Sequence, residues 1–185
     1  MTFTPIENIL TGKYRSKKVN LHGWVYRKRE SKDTIFLVIR DVTNIIQAVV
    51  KKDSSAWTAA EKATIESSVT LSGVVKADKR APGGYEVDAD KFEIIGLADT
   101  FPIAKDKSEQ FLRDVRHLWL RSRKMNTIMK IRSEVLQYIN EFFSKQGFFE
   151  VSPPMFISSA VEGGATLFSL KYFEDETMYL TQSAQ

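Results

Sequence analysis

The chain has 185 residues, 43% of them hydrophobic and 11% aromatic, which suffices for one large or two small packed domains and argues against a disordered protein. It has no cysteine and only two histidines, His22 and His117, so we expect neither a disulfide framework nor a structural metal. The net charge is +4, yet positions 13 to 29 carry seven cations and no acid, a pattern typical of a polyanion-binding surface and also of a merely solvated basic face.

The sequence shows no sign of membrane insertion or export. No apolar stretch approaches the roughly 20 residues that a membrane helix needs. The first ten residues, MTFTPIENIL, lack the basic and apolar blocks of a secretory signal. We therefore expect a cytoplasmic protein with no membrane partner.

The first hundred residues alternate in the manner of strands. Three stretches with period-two alternation come first, then a stretch of helical composition, then two more strands separated by the turn APGG: VNLHGWVY, TIFLVIRDV, NIIQAVV, SSAWTAAEKATI, SVTLSGVVKADKR and YEVDADKFEIIGLA. This order of elements is that of an OB-fold, a small Greek-key barrel that often binds nucleic acid. The sequence therefore predicts an all-β OB-fold barrel over residues 1–100.

The character of the sequence changes after Ala98. Residues 101–125 are polar at first and then basic, as in FLRDVRHLWLRSRK, and are predicted to form a linker. From Thr127 the apolar residues recur at the spacing of an amphipathic helix, which Gly147 is expected to end. A short strand is predicted to follow the glycine and to stop at Pro153 and Pro154. The sequence beyond the linker is thus predicted to hold a long helix followed by a strand.

Strand alternation identifies a candidate recognition surface. If Ile35, Leu37 and Ile39 fill the barrel, Phe36 must lie on its outer face, and the same argument turns Gln47 outward. Together with Trp24, Tyr26 and the cations Arg27, Lys28 and Arg29, they would form a stacking platform with an amide that can read a base edge. The alternative is that a second domain covers Phe36 and Trp24 and that Gln47 is simply exposed.

The positions of glycine and proline after the predicted long helix resemble motif 1 of class II aminoacyl-tRNA synthetases. In that motif a helix ends in glycine, here Gly147, and a proline follows seven residues later, here Pro154. The resemblance implies that residues 126–185 begin an α+β catalytic domain and that the motif 1 segment forms the interface of a homodimer.

The other stretches of the chain resemble the class IIb subgroup, which charges tRNA with aspartate, asparagine or lysine. The resemblance is carried, in order, by GWVYRKRES, IFLVIRD, IIQAVV, RHLWLRS, motif 1, EGGATLFSLKYF and YLTQSAQ, and covers essentially the whole chain. Within the subgroup, RHLWLRS and QSAQ are more similar to asparaginyl-tRNA synthetases, because aspartyl enzymes usually have a proline in place of Ala184.

The resemblance assigns roles to individual residues. It implies that Phe36 stacks on the middle anticodon base, that Gln47 reads that base, and that Glu93 lies near the first anticodon base. It gives anticodon contacts to the cations Arg27, Lys28 and Arg29. In the catalytic part, Glu162 resembles a flipping-loop residue that holds the ammonium group of the amino acid, with Gly163 and Gly164 giving the loop its freedom, and Ser183 and Gln185 resemble walls of the amino-acid pocket.

The resemblance also implies an activity and its limits. The complete enzyme would use ATP and Mg²⁺ to activate asparagine and attach it to tRNA, but motifs 2 and 3, which bind ATP and Mg²⁺, are not in this sequence. We therefore predict that the 185-residue chain alone is inactive, with no catalytic or metal-binding residue. Three alternatives stay open at this point: an aspartate-tRNA ligase, a non-catalytic tRNA-binding module, and a synthetase-like enzyme that makes free asparagine.

Overall fold

The computed structural model describes residues 2–103, 107–158, 167–173 and 176–183. The chain divides into two compact units, Met1–Leu112 and Arg113–Gln185.

The first unit is a closed five-stranded barrel. In chain order its elements are α1 (Ile6–Leu10), β1 (Lys18–Glu30), β2 (Thr34–Arg40), β3 (Ile45–Lys51), α2 (Trp57–Lys62), β4 (Ser68–Ala77), a short 3₁₀ turn (Pro82–Gly84) and β5 (Tyr85–Gly96). The strands are ordered β1-β2-β3-β5-β4, and β4 pairs back onto β1. Only the β3–β5 pair is parallel. The predicted OB-fold order of three strands, a helix and two strands is confirmed.

The barrel interior is filled by alternate side chains, as the sequence predicts. In β2, Ile35, Leu37 and Ile39 are fully buried, whereas Phe36 between them is only half-buried. In β3, Ile46 and Ala48 are fully buried and Gln47 is half-buried. The alternation therefore places Phe36 and Gln47 on the outer face of the barrel, as expected from the sequence.

Helix α1 is an element that the alternation pattern does not predict, because five residues are too few to show a helical period. Its Ile6 and Ile9 are fully buried in the barrel core. The carboxylate of Asp41, just after β2, accepts a hydrogen bond of 2.8 Å from the Ile6 backbone N–H and so satisfies one of the free donors at the helix start. The same carboxylate accepts bonds from Thr43 and from the Asn44 N–H.

The pKa of Asp41 reflects these bonds. Partial burial alone would raise this pKa, but the hydrogen bonds from the Thr43 side chain and from the backbone N–H groups of Ile6, Asn44 and Thr43 outweigh burial and lower the pKa below its usual value. The ionised carboxylate therefore ties α1 to the end of β2.

A β-bulge in β1 reverses the alternation of its second half. Val25 is paired with Ile39 but Arg27 is paired with Val38, so Tyr26 is the extra residue. After the bulge, Arg29 lies opposite Phe36, and Lys28 lies opposite the buried Leu37. Arg27 and Arg29 therefore share the outer face with Phe36, and Lys28 takes the opposite side of the strand.

The second unit contains one long helix and a small sheet. The division between the units falls within α3 (Glu109–Asp114). The elements that follow are α4 (Arg116–Trp119), α5 (Arg123–Lys145), β6 (Phe156–Ile157), β7 (Ser169–Lys171) and β8 (Thr177–Leu180). The three strands form an antiparallel sheet in the order β6-β8-β7. The prediction of an α+β segment after the barrel is confirmed.

Helix α5 begins four residues before Thr127 and ends as predicted. The Ser122 side chain caps its start by accepting a bond of 3.3 Å from Met125 N–H. At the other end Gly147 adopts φ +82°, a conformation that favours glycine. The Gly147 N–H donates to the Ser144 carbonyl, and the Phe148 N–H donates to the Phe143 carbonyl. The ring centres of Phe143 and Phe148 lie 5.5 Å apart. This pattern is a Schellman motif.

The strand predicted directly after Gly147 is wrong. Residues 148–154 form no strand, and the first strand beyond α5, β6, comes after Pro153 and Pro154. A strand needs a hydrogen-bonded neighbour, and within the described ranges no segment pairs with residues 148–154. Phe149 and Val151 are accordingly exposed, at 92% and 78%.

The apolar face of α5 is also exposed. None of the helix residues is buried, and large apolar side chains stand open along its length: Ile128, Ile131, Val135, Leu136, Ile139, Phe142 and Phe143. An apolar face of this extent is typical of a surface that packs against further protein.

We predict that Asp41→Ala destabilises the barrel by about 0.5–2 kcal/mol, the range for losing a helix cap. Because the folded-state pKa of Asp41 is lowered, its ionisation stabilises the fold above the unfolded pKa, and this contribution is lost as pH falls through the folded pKa. Urea unfolding at pH 7 and pH 3 should therefore show a smaller difference between wild type and variant at the lower pH. Asp53→Ala, at an exposed turn residue, is the control; equal effects of the two substitutions would contradict the capping role.

Neighbouring residues in β2 offer a test of the outward orientation of Phe36. We expect Leu37→Ala to cost about 2–5 kcal/mol of unfolding free energy, because it empties part of the core. Phe36→Ala should cost under about 1 kcal/mol, since the ring lies on the outer face. If denaturant titrations instead gave Phe36→Ala the larger loss, the ring would be part of the core.

Candidate nucleic-acid interface

A cavity of about 490 Å³ opens on the outer face of β1, β2 and β3. It is lined by Arg27, Lys28, Arg29, Phe36, Val38, Gln47, Asp78 and Arg80. Five of the six residues predicted to contact an anticodon therefore border one cavity. Its walls combine an aromatic ring, an amide and several cations, the groups that bind single-stranded nucleic acid by stacking, hydrogen bonding and charge.

Phe36 and Arg29 form a stacked pair within this cavity. The Arg29 guanidinium carbon lies 4.8 Å from the centre of the Phe36 ring. The pairing follows from the register after the β1 bulge, which sets the two residues opposite each other. Tyr26 and Trp24 were predicted to extend the platform, but neither lines the cavity; Tyr26 lies beneath the guanidinium groups of Arg27 and Arg40, at 5.5 and 5.3 Å.

Gln47 is held by a residue that the sequence reasoning missed. Its Nε2 atom donates a hydrogen bond of 2.9 Å to the Glu86 carboxylate. The parallel pairing of β3 with β5 places Gln47 directly beside Glu86. An ionised carboxylate can only accept, so the bond fixes which end of the Gln47 amide faces Glu86 and leaves its Oε1 and second N–H available.

Asp78 and Arg80, in the turn between β4 and β5, form an ion pair that lines the cavity. Arg80 donates to both carboxylate oxygens of Asp78, at 3.2 and 3.1 Å. The hydrogen bonds from Arg80 hold the pKa of Asp78 below its usual value. The Arg80 side chain is 91% exposed, so the guanidinium can meet a polyanion at the cavity rim.

The Lys28 ammonium, predicted as an anticodon contact, is used elsewhere. It donates to the carbonyl of Ala63 at 3.1 Å and to that of Glu61, both at the end of α2, and pairs with Glu30 at 2.6 Å. Its side chain is only 15% exposed. Lys28 therefore anchors α2 to β1, and its proposed contact with RNA stays a prediction.

Glu93 lies away from the cavity. It pairs with Thr70 on β4 and borders a separate hollow with Ser72 and Phe92. Seven residues along β5 separate it from Glu86, about 23 Å at the usual rise of a strand. The structure thus brings Glu86 rather than Glu93 to Gln47, and the role predicted for Glu93 stays untested.

Of the predicted amino-acid pocket, only Ser183 is described. It follows β8, and its N–H donates to the Thr181 hydroxyl at 3.3 Å. Glu162, Gly163, Gly164 and Gln185 lie outside the described residues. The described part of the chain contains no cluster of three or more residues that could hold a metal ion, and none of its helices is long and apolar enough to cross a membrane.

Sequence reasoning missed Asp78, Arg80 and Glu86 for two reasons. Asp78 and Arg80 lie in the turn between β4 and β5, whose direction the strand pattern does not give. Glu86 could have been found from the Greek-key order, because an OB-fold pairs its third strand with its fifth and so brings the start of β5 beside the middle of β3.

Two family models match the chain. Residues 19–95 match "OB-fold nucleic acid binding domain", and residues 108–185 match "tRNA synthetases class II (D, K and N)". The two matches coincide with the barrel and with the helix and small sheet that follow it.

Relatives of known name agree with these matches. The asparagine-tRNA ligase of Thermococcus kodakarensis is 52% identical over 95% of this chain and 41% of its own length. The crystal structure of asparaginyl-tRNA synthetase from Pyrococcus horikoshii complexed with asparaginyl-adenylate superposes with a TM-score of 0.83 and 46% identity, over 93% of this chain and 41% of that one. A putative aspartyl-tRNA synthetase from Leishmania major gives a TM-score of 0.82 at 22% identity over 98% of this chain and 39% of that one, a likeness of fold.

The chain thus spans about two fifths of the length of the relatives that it matches. Residues 108–185 belong to the class II tRNA synthetases of the D, K and N group and residues 19–95 to the OB-fold nucleic acid binding domains, and together they are similar to a part of the asparagine-tRNA ligases.

Proposed function

We propose that this chain supplies the anticodon-reading barrel and the first part of the catalytic domain of an asparagine-tRNA ligase. The observation that carries the proposal is the cavity in which the Arg29–Phe36 pair lies beside the Gln47 amide. The family resemblance assigned Phe36 and Gln47 to the middle anticodon base and gave Arg29 an anticodon contact.

The cavity offers two kinds of contact to a base. A splayed-out base can stack on the Phe36 ring or on the planar Arg29 guanidinium, and stacking of this kind tolerates any base. Discrimination has to come from hydrogen bonds to the base edge. Gln47, oriented by Glu86, presents an acceptor oxygen and a donor N–H together, which suits an edge with a donor beside an acceptor.

Asparagine is the proposed amino acid because asparagine-tRNA ligases are similar to this chain at 40–53% identity. The aspartyl structures stand at 21–22% identity. The aspartate alternative is accordingly weaker, and the family membership argues against a stand-alone RNA-binding module.

In the whole enzyme, ATP and Mg²⁺ would activate the asparagine carboxylate before its transfer to tRNA in the cytoplasm. The described residues do not fit a Mg²⁺ site, since they contain no cluster of potential metal ligands. We propose that motif 1 joins two subunits. The exposed apolar face of α5 supports this, because an open face of that length needs a protein partner.

We predict that the 185-residue chain binds an RNA hairpin carrying the asparagine anticodon GUU more tightly than one carrying GCU. Phe36→Ala should cost about 1–3 kcal/mol of affinity for both hairpins, because stacking does not distinguish bases. Gln47→Ala should instead shrink the difference between the two hairpins. Fluorescence anisotropy titrations at fixed salt measure all three effects.

Val42→Ala, at an exposed residue outside the cavity, serves as the control and should change neither quantity. Equal binding of the two hairpins by the wild-type chain would remove the anticodon-reading proposal. A Gln47→Ala variant that kept full discrimination would move base reading to another residue.

A second prediction concerns catalysis. The 185-residue chain should show no asparagine-dependent exchange of pyrophosphate into ATP, because the sequence lacks motifs 2 and 3 and its described residues contain no cluster of three or more potential metal ligands. A chain extended to the full length of the relatives should show exchange with asparagine and little with aspartate. Exchange by the short chain, or preference of the long chain for aspartate, would contradict the respective part of the proposal.

A further inference from the structure

The loop between α1 and β1 carries three cations that the anticodon cavity does not use. Lys13, Arg15 and Lys17 are exposed, and no acid occurs from residue 8 to residue 29. Within the described part of the chain none of the three forms an ion pair, whereas the next cation, Lys18, is paired with Asp90. We refer to these three residues as the loop cations.

The loop is fixed to the barrel. The Ser16 N–H donates to the Val75 carbonyl at 2.9 Å, and the Val75 N–H donates to the Lys17 carbonyl at 3.0 Å, so the end of the loop continues the pairing of β1 with β4. At its other end Gly12 has φ +84° and lies so close to Tyr85 that an added Cβ would stand 2.6 Å from the tyrosine oxygen. The cations are therefore carried on an ordered backbone.

This attachment sets the loop at a defined distance from the cavity. Lys76, next to Val75, pairs with Glu86 on β5, and Glu86 pairs with Gln47 on β3. Loop, β4, β5 and β3 are thus successive neighbours around the barrel. At about 4.8 Å for each step, the path along the barrel surface from the loop backbone to Gln47 is about 14 Å.

A nucleic acid bound at the cavity would extend over this distance. An OB-fold covers about 4–16 nucleotides of a single strand, which is more than the anticodon base that the cavity accommodates. Unpaired cations on an ordered loop suit phosphate groups, which they contact without regard to base. The acids between loop and cavity, Glu86 and Asp88, are occupied by Gln47 and by the lysines Lys51 and Lys76.

We propose that the loop cations bind the phosphate backbone of the RNA whose anticodon enters the cavity, as a second, sequence-independent contact surface. This inference rests on the proposed function, since the cavity defines where the RNA lies. The loop supplies affinity, and the cavity supplies discrimination.

The test is the double substitution Lys13→Ala and Arg15→Ala in the 185-residue chain, titrated with the GUU and GCU hairpins at several salt concentrations. Affinity should fall by the same factor for both hairpins, about 2- to 30-fold for two exposed charge contacts. The slope of log affinity against log salt should shrink by about 1–2, because two fewer counterions are displaced. Discrimination between the hairpins should be unchanged.

Lys62→Ala with Lys91→Ala is the matched control, since it removes two exposed cations on α2 and β5 that do not border the cavity. Equal losses in control and double variant, or no loss in either, would overturn the loop proposal while leaving anticodon reading intact. Equal binding of both hairpins by the wild type, with a charge-dependent loss in the double variant alone, would instead contradict the proposed function and retain the backbone contact.

Discussion

The filling of the barrel interior by alternate side chains is the constraint on which the recognition surface depends. Ile35, Leu37 and Ile39 occupy the inside completely. Phe36 therefore has no place there, and the energy of the core holds its ring on the outer face. The strand order then sets β3 beside β2 and β5 beside β3, which brings Gln47 and Glu86 together. The barrel core and the binding surface are two faces of the same strands.

The β-bulge in β1 determines which cations lie on the outer face. Without the bulge at Tyr26, regular alternation from Val25 would turn Arg27 and Arg29 inward and Lys28 outward. With it, the two arginines reach the outer face, and Lys28 is released to bond the carbonyls at the end of α2. Because of this single extra residue, Arg27 and Arg29 lie on the outer face, whereas Lys28 holds α2 against β1.

The sequence predicts the barrel well because most of its strand residues follow a period of two, and the same period identifies Phe36 and Gln47. It does not predict α1, whose burial depends on tertiary contacts with the core and with Asp41. It does not predict the bulge or the pairing of Gln47 with Glu86 either, since both depend on register. Beyond Gly147 the pattern failed for a related reason: a strand requires a neighbour, and the described residues provide none for 148–154.

The central claim, that the outer face around Phe36 reads an anticodon base, is tested most directly by mapping the bound RNA on the protein. Nuclear magnetic resonance spectra of the ¹⁵N-labelled chain would be recorded during titration with the GUU hairpin. The account predicts the largest shifts at the Gln47 side-chain amide and at the amides of Arg29 and Phe36. Shifts concentrated around Thr70 and Glu93, with Gln47 and Phe36 unchanged, would contradict it.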